Sequence, residues 1–385
     1  MPEPIYLDHA ATTPVREEVF AAMQPFFGPR FGNPSSVHRW GRDARTALDE
    51  ARERVARCLG AFPDEIVFTS CGTEADNMAL IGVWRARHGE GRPGAASTPI
   101  EHKAVLGALH QIAKEGGDER LIAVDASGRV VDESFDQQVR DDVAVCSVMW
   151  VNNEIGTLQD IGALAARAKS RGVVFHTDAV QAFGKVEVDT RATPVDLLSI
   201  SGHKIGAPKG IGALFIRRGT PMEALMFGGS QDRGRRPGTE NVAMAVGLAC
   251  AAELAVAERA EEWNRLERLR DRFEAALLAR VPDAIIHGRG APRAPHITNV
   301  SVPGTESESL LIALDLRGIA CSAGSACQSG SVNPSHVLEA IGVRTDVASA
   351  ALRMSFGVLT DEAGIDRVAE VFPALAEKSR RLATA

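Results

Sequence analysis

Short apolar runs alternate with longer amphipathic stretches through the first two thirds of the chain. Runs rich in apolar or β-branched residues stand at 65–70, 120–124, 143–151, 173–177 and 211–216, each separated from the next by a helix-length segment or a loop. The alternation predicts an α/β fold, a mostly parallel sheet with helices on both faces. Helical patterns fall at 17–24, 41–59 and 75–84, and a long helical stretch runs to about residue 280. In that stretch Leu266, Leu269, Phe273 and Leu277 recur at three- and four-residue spacing, and Pro282 stops it. The remainder alternates differently: strand 297–302, helix 306–316, strand 319–322, helix 336–341, strand 352–356 and a closing helix over 361–382. These segments predict a smaller α+β domain. The boundary is placed in the long helix, giving a large domain over 14–258 and a small one built from 1–13 and 259–385. Residues 1–13 read as an irregular arm.

Composition adds exclusions. Apolar residues are 45 % and charged residues 24 %, as in an ordinary globular protein with a large core. The formal net charge is −7 with no basic run, so neither a nucleic-acid partner nor a membrane surface is expected. No apolar stretch approaches a membrane span and the N-terminus lacks a basic-then-apolar signal, so a cytoplasmic protein is expected. The cysteines Cys58, Cys71, Cys146, Cys250, Cys321 and Cys327 contain no C-x-x-C pair, so neither a disulfide scaffold nor a metal site is expected.

Candidate chemistry gathers in the loops after the apolar runs. Lys204 and Lys209 stand in SGHKIGAPKG (201–210), a glycine-dense loop between two apolar runs. A lysine at the end of a sheet, backed by small residues, can form a Schiff base with a carbonyl cofactor, although an ordinary turn with a solvated lysine has the same look. After the run at 65–70 comes Cys71-Gly72-Thr73-Glu74 and then a helix, an arrangement that cradles a phosphate or merely caps the helix. Asn152, Asn153 and Glu154 follow one strand; His176, Asp178 and Gln181 end the next, where ligands gather on parallel sheets. A carboxylate such as Asp178 would keep a pyridine ring nitrogen protonated, and is equally a plain turn residue. The small-residue run 323–331 carries Cys327.

Taken together, YLDHAATTP (6–14), FGNPSS, IEHKAVL, VNNEIG, HTDAVQAFGK, SGHKIGAPKG, GRRPGTEN, GSACQSGS and LRMSFG resemble the cysteine desulfurases of the NifS/IscS type. These belong to the class-V aminotransferase family and share fold type I of the pyridoxal 5′-phosphate enzymes. The resemblance spans nearly the whole chain. It implies pyridoxal 5′-phosphate as cofactor, Lys204 as the Schiff-base lysine and proton shuttle, and His102 as the residue that stacks on the ring and assists proton transfer. It further implies Asp178 at the ring nitrogen, Gln181 at the phenolic oxygen, and Gly72, Thr73, Ser201 and His203 at the phosphate. Thr239 would reach the phosphate of a partner subunit, which implies a homodimer. Asn33, Asn153 and Arg353 would hold the substrate, the arginine suiting a carboxylate through its planar fork.

Cys327 would be the nucleophile that takes sulfur from L-cysteine as a persulfide, releasing L-alanine. Cys321, in a short apolar run, is expected to be buried. The sulfur would pass to an acceptor protein, in iron–sulfur cluster assembly or other sulfur trafficking. Selenocysteine as substrate and an aminotransferase of the same fold are the rival readings; a mobile-loop cysteine argues against the second. Cys71 departs from the family pattern, which favours glycine or serine there, and GAASTP (94–99), leading to His102, is poor in β-branched residues.

Overall fold

The computed structural model describes residues 3–323 and 334–383. In chain order its elements are β1 (Ile5–Tyr6), α1 (Glu17–Met23), α2 (Arg39–Leu59), β2 (Ile66–Thr69), α3 (Gly72–Arg87), β3 (Gly94–Ser97), α4 (Lys103–Lys114), β4 (Asp118–Leu121), α5 (Asp132–Gln138), β5 (Val143–Ser147), α6 (Ile161–Ser170), β6 (Val174–Asp178), β7 (Leu197–Ser201) and β8 (Gly212–Ile216). There follow α7 (Val242–Arg280), β9 (Ile285–Ile286), β10 (Ile297–Ser301), α8 (Ser307–Asp315), β11 (Ile319–Ala320), β12 (Ser322–Ala323), α9 (His336–Ala340), α10 (Thr345–Ala348), β13 (Ala351–Ser355) and α11 (Glu362–Ala383).

The central sheet has seven strands in the order β2-β8-β7-β6-β5-β3-β4. From β7 to β4 all neighbours are parallel, while β8 runs antiparallel to both β7 and β2. Consecutive residues of one strand point to opposite faces, and the two faces meet different helices. Val67, Val174, Leu197 and Leu214 pack with α3 and α4; Phe68, Phe175, Leu198 and Phe215 pack with α2, α6 and the first half of α7. Burial on both faces is why these strands read as unbroken apolar runs.

A second core gathers Leu266, Leu269, Phe273 and Leu277 of α7 with β10, α8, β13 and α11, around the four-stranded antiparallel sheet β12-β13-β10-β9. The one 39-residue helix α7 therefore contributes to both cores. Among the described residues no helix is long and apolar enough to cross a membrane.

Two sequence expectations change. The arm is not wholly irregular: Ile5 and Leu7 are buried in the second core, and β1 pairs in parallel with β11. The single strand expected over 319–322 breaks at Cys321 into two strands that join different sheets, β11 with β1 and β12 with β13.

Phe273 is fully buried and meets Phe356 edge-on, ring centroids 6.2 Å apart. Phe273→Ala leaves a cavity in the second core and is expected to cost about 3–5 kcal/mol of stability, measured by urea unfolding.

Candidate active site

The cleft lies at the carboxyl ends of β5, β6 and β7 and is lined by Ala10, Ala11, Gly72, Thr73, Asp76, His102, Asn153, Glu154, Asp178, Gln181, Ser201, His203, Lys204, His336 and Arg353, among others. Each side chain arrives by a local device. The chain turns at Cys71 from β2 into α3, so the first N–H groups of a 16-residue helix open on the cleft. Gly72 lets backbone approach there: a Cβ on it would stand 2.9 Å from Val180 Cγ2. After β5, the side-chain oxygen of Asn152 accepts the N–H groups of Glu154 and Ile155 at 2.9 and 3.0 Å, which shapes the turn that presents Asn153. His102 caps α4: its Nδ1 accepts the Ala104 N–H at 3.2 Å. A neutral ring in that role carries its proton on Nε2.

Asp178 ends β6 and accepts the N–H of Val180 at 2.8 Å. Burial pushes its carboxyl above the ordinary aspartate range, while His102 and Lys204 pull the other way. Lys204 follows β7 in a short 3-10 turn, and its Nζ donates to the carbonyls of Ala10 and Ala11 at 2.5 and 2.8 Å. His203 is brought down to about 4 by burial, with the charges of Lys204 and Lys209 adding to it, so it is neutral at physiological pH. Gln181 donates through Nε2 to the Ala10 carbonyl at 2.9 Å, and its oxygen meets His296 Nε2 at 3.3 Å. Arg353, 2 % exposed on β13, donates from Nη1 to the Asn153 carbonyl at 3.0 Å and from Nη2 to Asp8 at 2.9 Å.

Of the residues singled out in the sequence, Gly72, Thr73, His102, Asn153, Asp178, Gln181, Ser201, His203, Lys204 and Arg353 line this one cleft. Asn33 and Thr239 do not: each lies in a separate surface depression, Asn33 beside Phe31 and Trp40, Thr239 beside Phe227. Cys327 lies outside the described residues. Cys321, expected to be buried, is half-buried against the second core, and desolvation pushes its thiol up to about 12. Sequence reading missed Asp76, Glu101 and His336, and placed Glu154 only as a polar residue after a strand, with no role. Glu154 accepts the hydroxyl of Ser335, the N-cap of α9, and burial raises it to about 7. His336 donates from Nε2 to the Glu101 carbonyl at 2.9 Å. A capping serine before an apolar run was the one available signal for α9.

The donor set fits a phosphorylated pyridoxal. Ser201 Oγ, Asn153 Oδ1 and Arg353 Nε are buried without hydrogen-bond partners, which is costly unless a ligand satisfies them. Ser201 stands with the α3 N-terminus where a phosphate would be bound, Gln181 Nε2 keeps a second proton for an oxyanion, and Asp178 is placed for a cationic ring nitrogen.

Glu101 is fully buried: its Oε1 accepts from Thr98 Oγ1 at 2.7 Å and Met149 N at 2.9 Å, while Oε2 has no partner. Burial raises its carboxyl from 4.5 to about 8. The folded chain then keeps a proton that the unfolded chain releases, so this group lowers stability as pH rises from about 4.5 to about 8. His176 and His203, depressed by burial, act in the opposite direction below the ordinary histidine value. Glu101→Gln keeps the acceptor and is expected to remove only the first effect. Its melting temperature, relative to the parent protein, should climb progressively across that pH interval.

The aminotransferase class-V family profile matches residues 5–368. The cysteine desulfurase IscS of Dictyoglomus turgidum is 44 % identical over 382 residues, 99 % of this chain and 97 % of that protein. The cysteine desulfurase NifS of Azotobacter vinelandii is 44 % identical over 379 residues, 98 % of this chain and 94 % of its own. Among solved structures, a NifS-like protein superposes with a TM-score of 0.91 at 34 % identity, covering 97 % of this chain and all of its own. DndA from Streptomyces lividans gives 0.78 at 38 % identity, over 91 % of this chain and 99 % of its own. On this full-length similarity the chain belongs to the class-V aminotransferase family and, within it, to the NifS/IscS-type cysteine desulfurases.

Proposed function

We propose that this enzyme takes the sulfur of L-cysteine, releases L-alanine and passes the sulfur through a persulfide on Cys327 to an acceptor protein, with pyridoxal 5′-phosphate as its cofactor. The observation that carries the reading is the convergence of Lys204, Asp178, His102 and Arg353 on one cleft, in which Ser201 Oγ, Asn153 Oδ1 and Arg353 Nε are buried with no hydrogen-bond partner among the described residues. When bound, pyridoxal phosphate supplies an electron sink that lets the carbon skeleton of an amino acid carry negative charge.

The chain's own residues do the rest. The α3 N-terminus, Thr73, Ser201 and His203 would hold the phosphate, Asp178 and Gln181 would set the charge of the ring, and His102 would contact it. Arg353 binds the substrate carboxylate. Its Nη1 and Nη2 each donate once, to the Asn153 carbonyl and Asp8, and the buried Nε has no partner among the described residues, which leaves N–H groups for a carboxylate. Asn153 Oδ1, also without a partner, accepts from the substrate ammonium. Lys204 Nζ takes the proton from substrate Cα. The Cys327 thiolate attacks the substrate sulfur: an S–S bond forms, the Cβ–S bond breaks, and its electron pair and one proton complete the methyl group of alanine.

Two copies of the chain complete the assembly in this reading. Thr239 and Asn33, which do not line the cleft of their own chain, are offered to the cleft of a second copy. Exposed Phe31, Trp40 and Phe227 beside them are the apolar surface such an interface would cover. A large domain over 14–258 and a small one over 1–13 and 259–385 remain the proposed division, cytoplasm the proposed location, and iron–sulfur cluster assembly the proposed destination of the sulfur.

The test is alanine and sulfide release from L-cysteine by the purified protein, with its visible spectrum. Cys327→Ala is expected to keep the cofactor's colour and lose both products. Undiminished turnover by that variant would overturn the assignment and point to Cys71, the thiol that lines the cleft. Arg353→Lys, which loses the fork, is expected to raise KM for L-cysteine by about tenfold or more with cofactor binding retained.

A further inference from the structure

Gln181 stands between the cleft and a second cavity, buried and lining both, and its amide is held from two sides. On one side Nε2 donates to the Ala10 carbonyl at 2.9 Å; on the other Oε1 faces His296 Nε2 at 3.3 Å. A carbonyl oxygen only accepts, so the amide cannot turn over without setting two oxygens against each other at Ala10. The oxygen of Gln181 therefore faces His296, and His296 Nε2 carries the hydrogen that it accepts. The Ala10 anchor is shared, because the same carbonyl accepts Lys204 Nζ at 2.5 Å, and Lys204 is the group that moves a proton in the reaction. His296 is the anchor that does not depend on the lysine.

The surroundings of His296 agree with that placement of its hydrogen. The ring is 3 % exposed and stands just ahead of β10, so it reaches Gln181 from the other sheet. Burial, with the charges of Lys185, Arg353 and Lys204 adding to it, holds the imidazole well below the ordinary histidine value. It is neutral and has one N–H to place. With that N–H on Nε2, Nδ1 is left as an acceptor, and it is buried without a partner among the described residues. The ring borders the second cavity with His9, Lys185, Glu258 and Glu262. The two carboxylates there are taken by Arg16 and Arg265, and His9, itself neutral, spends its proton on the Ser355 carbonyl. None of them claims His296.

We infer that His296 is a positioning residue that locks the Gln181 amide with its NH2 group toward the cleft, so that the N–H not used by Ala10 is presented to the phenolic oxygen of the cofactor. The inference deepens the proposed function: the lock stands on this chain's own hydrogen bonds, and its consequence for the cofactor rests on that reading. A ring that merely filled the space between the two sheets would need no hydrogen on Nε2.

Two measurements test it. The first uses the full chain with nitrogen-15 histidine, free of cofactor and at neutral pH. The His296 signals, assigned by their loss in His296→Leu or His296→Gln, are expected to show a neutral ring with its hydrogen on Nε2. A hydrogen on Nδ1, or a doubly protonated ring, would overturn the inference. The second is the pH titration of the bound cofactor's visible absorption. A phenolic oxygen that loses a donor becomes a stronger base, so His296→Leu is expected to raise the midpoint by about 0.5–1 pH unit, the worth of one hydrogen bond. In a Gln181→Ala background the same substitution is expected to leave the midpoint in place. A midpoint that His296→Leu does not move, or one that rises equally with and without Gln181, would overturn the inference. Should His296→Leu fail to fold, the nitrogen-15 spectrum of the parent protein still decides. A protein with its hydrogen on His296 Nε2 that never takes up pyridoxal phosphate would instead sink the functional reading and leave the lock on Gln181 standing.

Discussion

The two hydrogen bonds from Lys204 Nζ to the carbonyls of Ala10 and Ala11 are the contact on which the site's geometry depends. They join a lysine at the end of the central sheet to an arm more than 190 residues upstream. The same arm supplies Asp8 to Arg353, the Ala10 carbonyl to Gln181, Thr12 to His203, and a hydroxyl on Thr13 that donates to the His203 carbonyl and accepts from Gly206 N–H. Its own position is set by β1, paired with β11, and by the burial of Ile5 and Leu7 in the second core. Lysine and arginine therefore come from different sheets and are placed relative to each other by a few residues of backbone.

A second constraint follows from building a polar site on strands that are buried on both faces. Each polar side chain there loses water and must find a partner, a ligand or a proton. His176 finds serines on both neighbouring strands. Glu101 and Glu154 accept hydrogen bonds and are pushed up to about 8 and about 7 by burial. Ser201, Asn153 and Arg353 keep unpaired atoms, which marks the part of the cleft shaped for a ligand rather than for the fold. Satisfied and unsatisfied groups divide the same pocket into scaffold and binding surface.

That division also explains what the sequence disclosed. Lys204, Asp178 and Gln181 were legible at strand ends and a glycine-rich turn, where a pattern can be read, whereas Arg353, in the middle of β13, was reached only through the family resemblance. The strands and the long helix were legible from period and length. Asp76 was not, because an acid one turn into a helix is ordinarily a solvated surface residue, and nothing local says that this one faces inward. His336 reaches the cleft, bonded to the Glu101 carbonyl, from a position far along the chain. The strand in the arm escaped notice because two residues of alternation are too few to register, and its partner strand comes from the far end of the sequence. Asn33 and Thr239 look equally strong in the sequence, yet the fold of one chain keeps both away from the cleft.

Burial also sorts the thiols, which residue spacing could do only in part. Sulfur transfer needs a thiolate, and enclosure in an apolar surround disfavours the charged form. Cys58 is pushed up to about 11 and Cys321 to about 12, and Cys146 and Cys250 are raised as well. Cys321 is the instructive case, since it stands six residues before Cys327 and borders the same sheet as Arg353. Proximity in sequence would make the two interchangeable. Packing beneath β13 makes Cys321 a poor nucleophile, however near to the cleft it lies. The thiols left to meet a substrate are Cys71, fixed at the mouth of α3, and Cys327. Cys71 is held in the turn that would bind a phosphate, so a persulfide formed there would have to be handed on from inside the cleft.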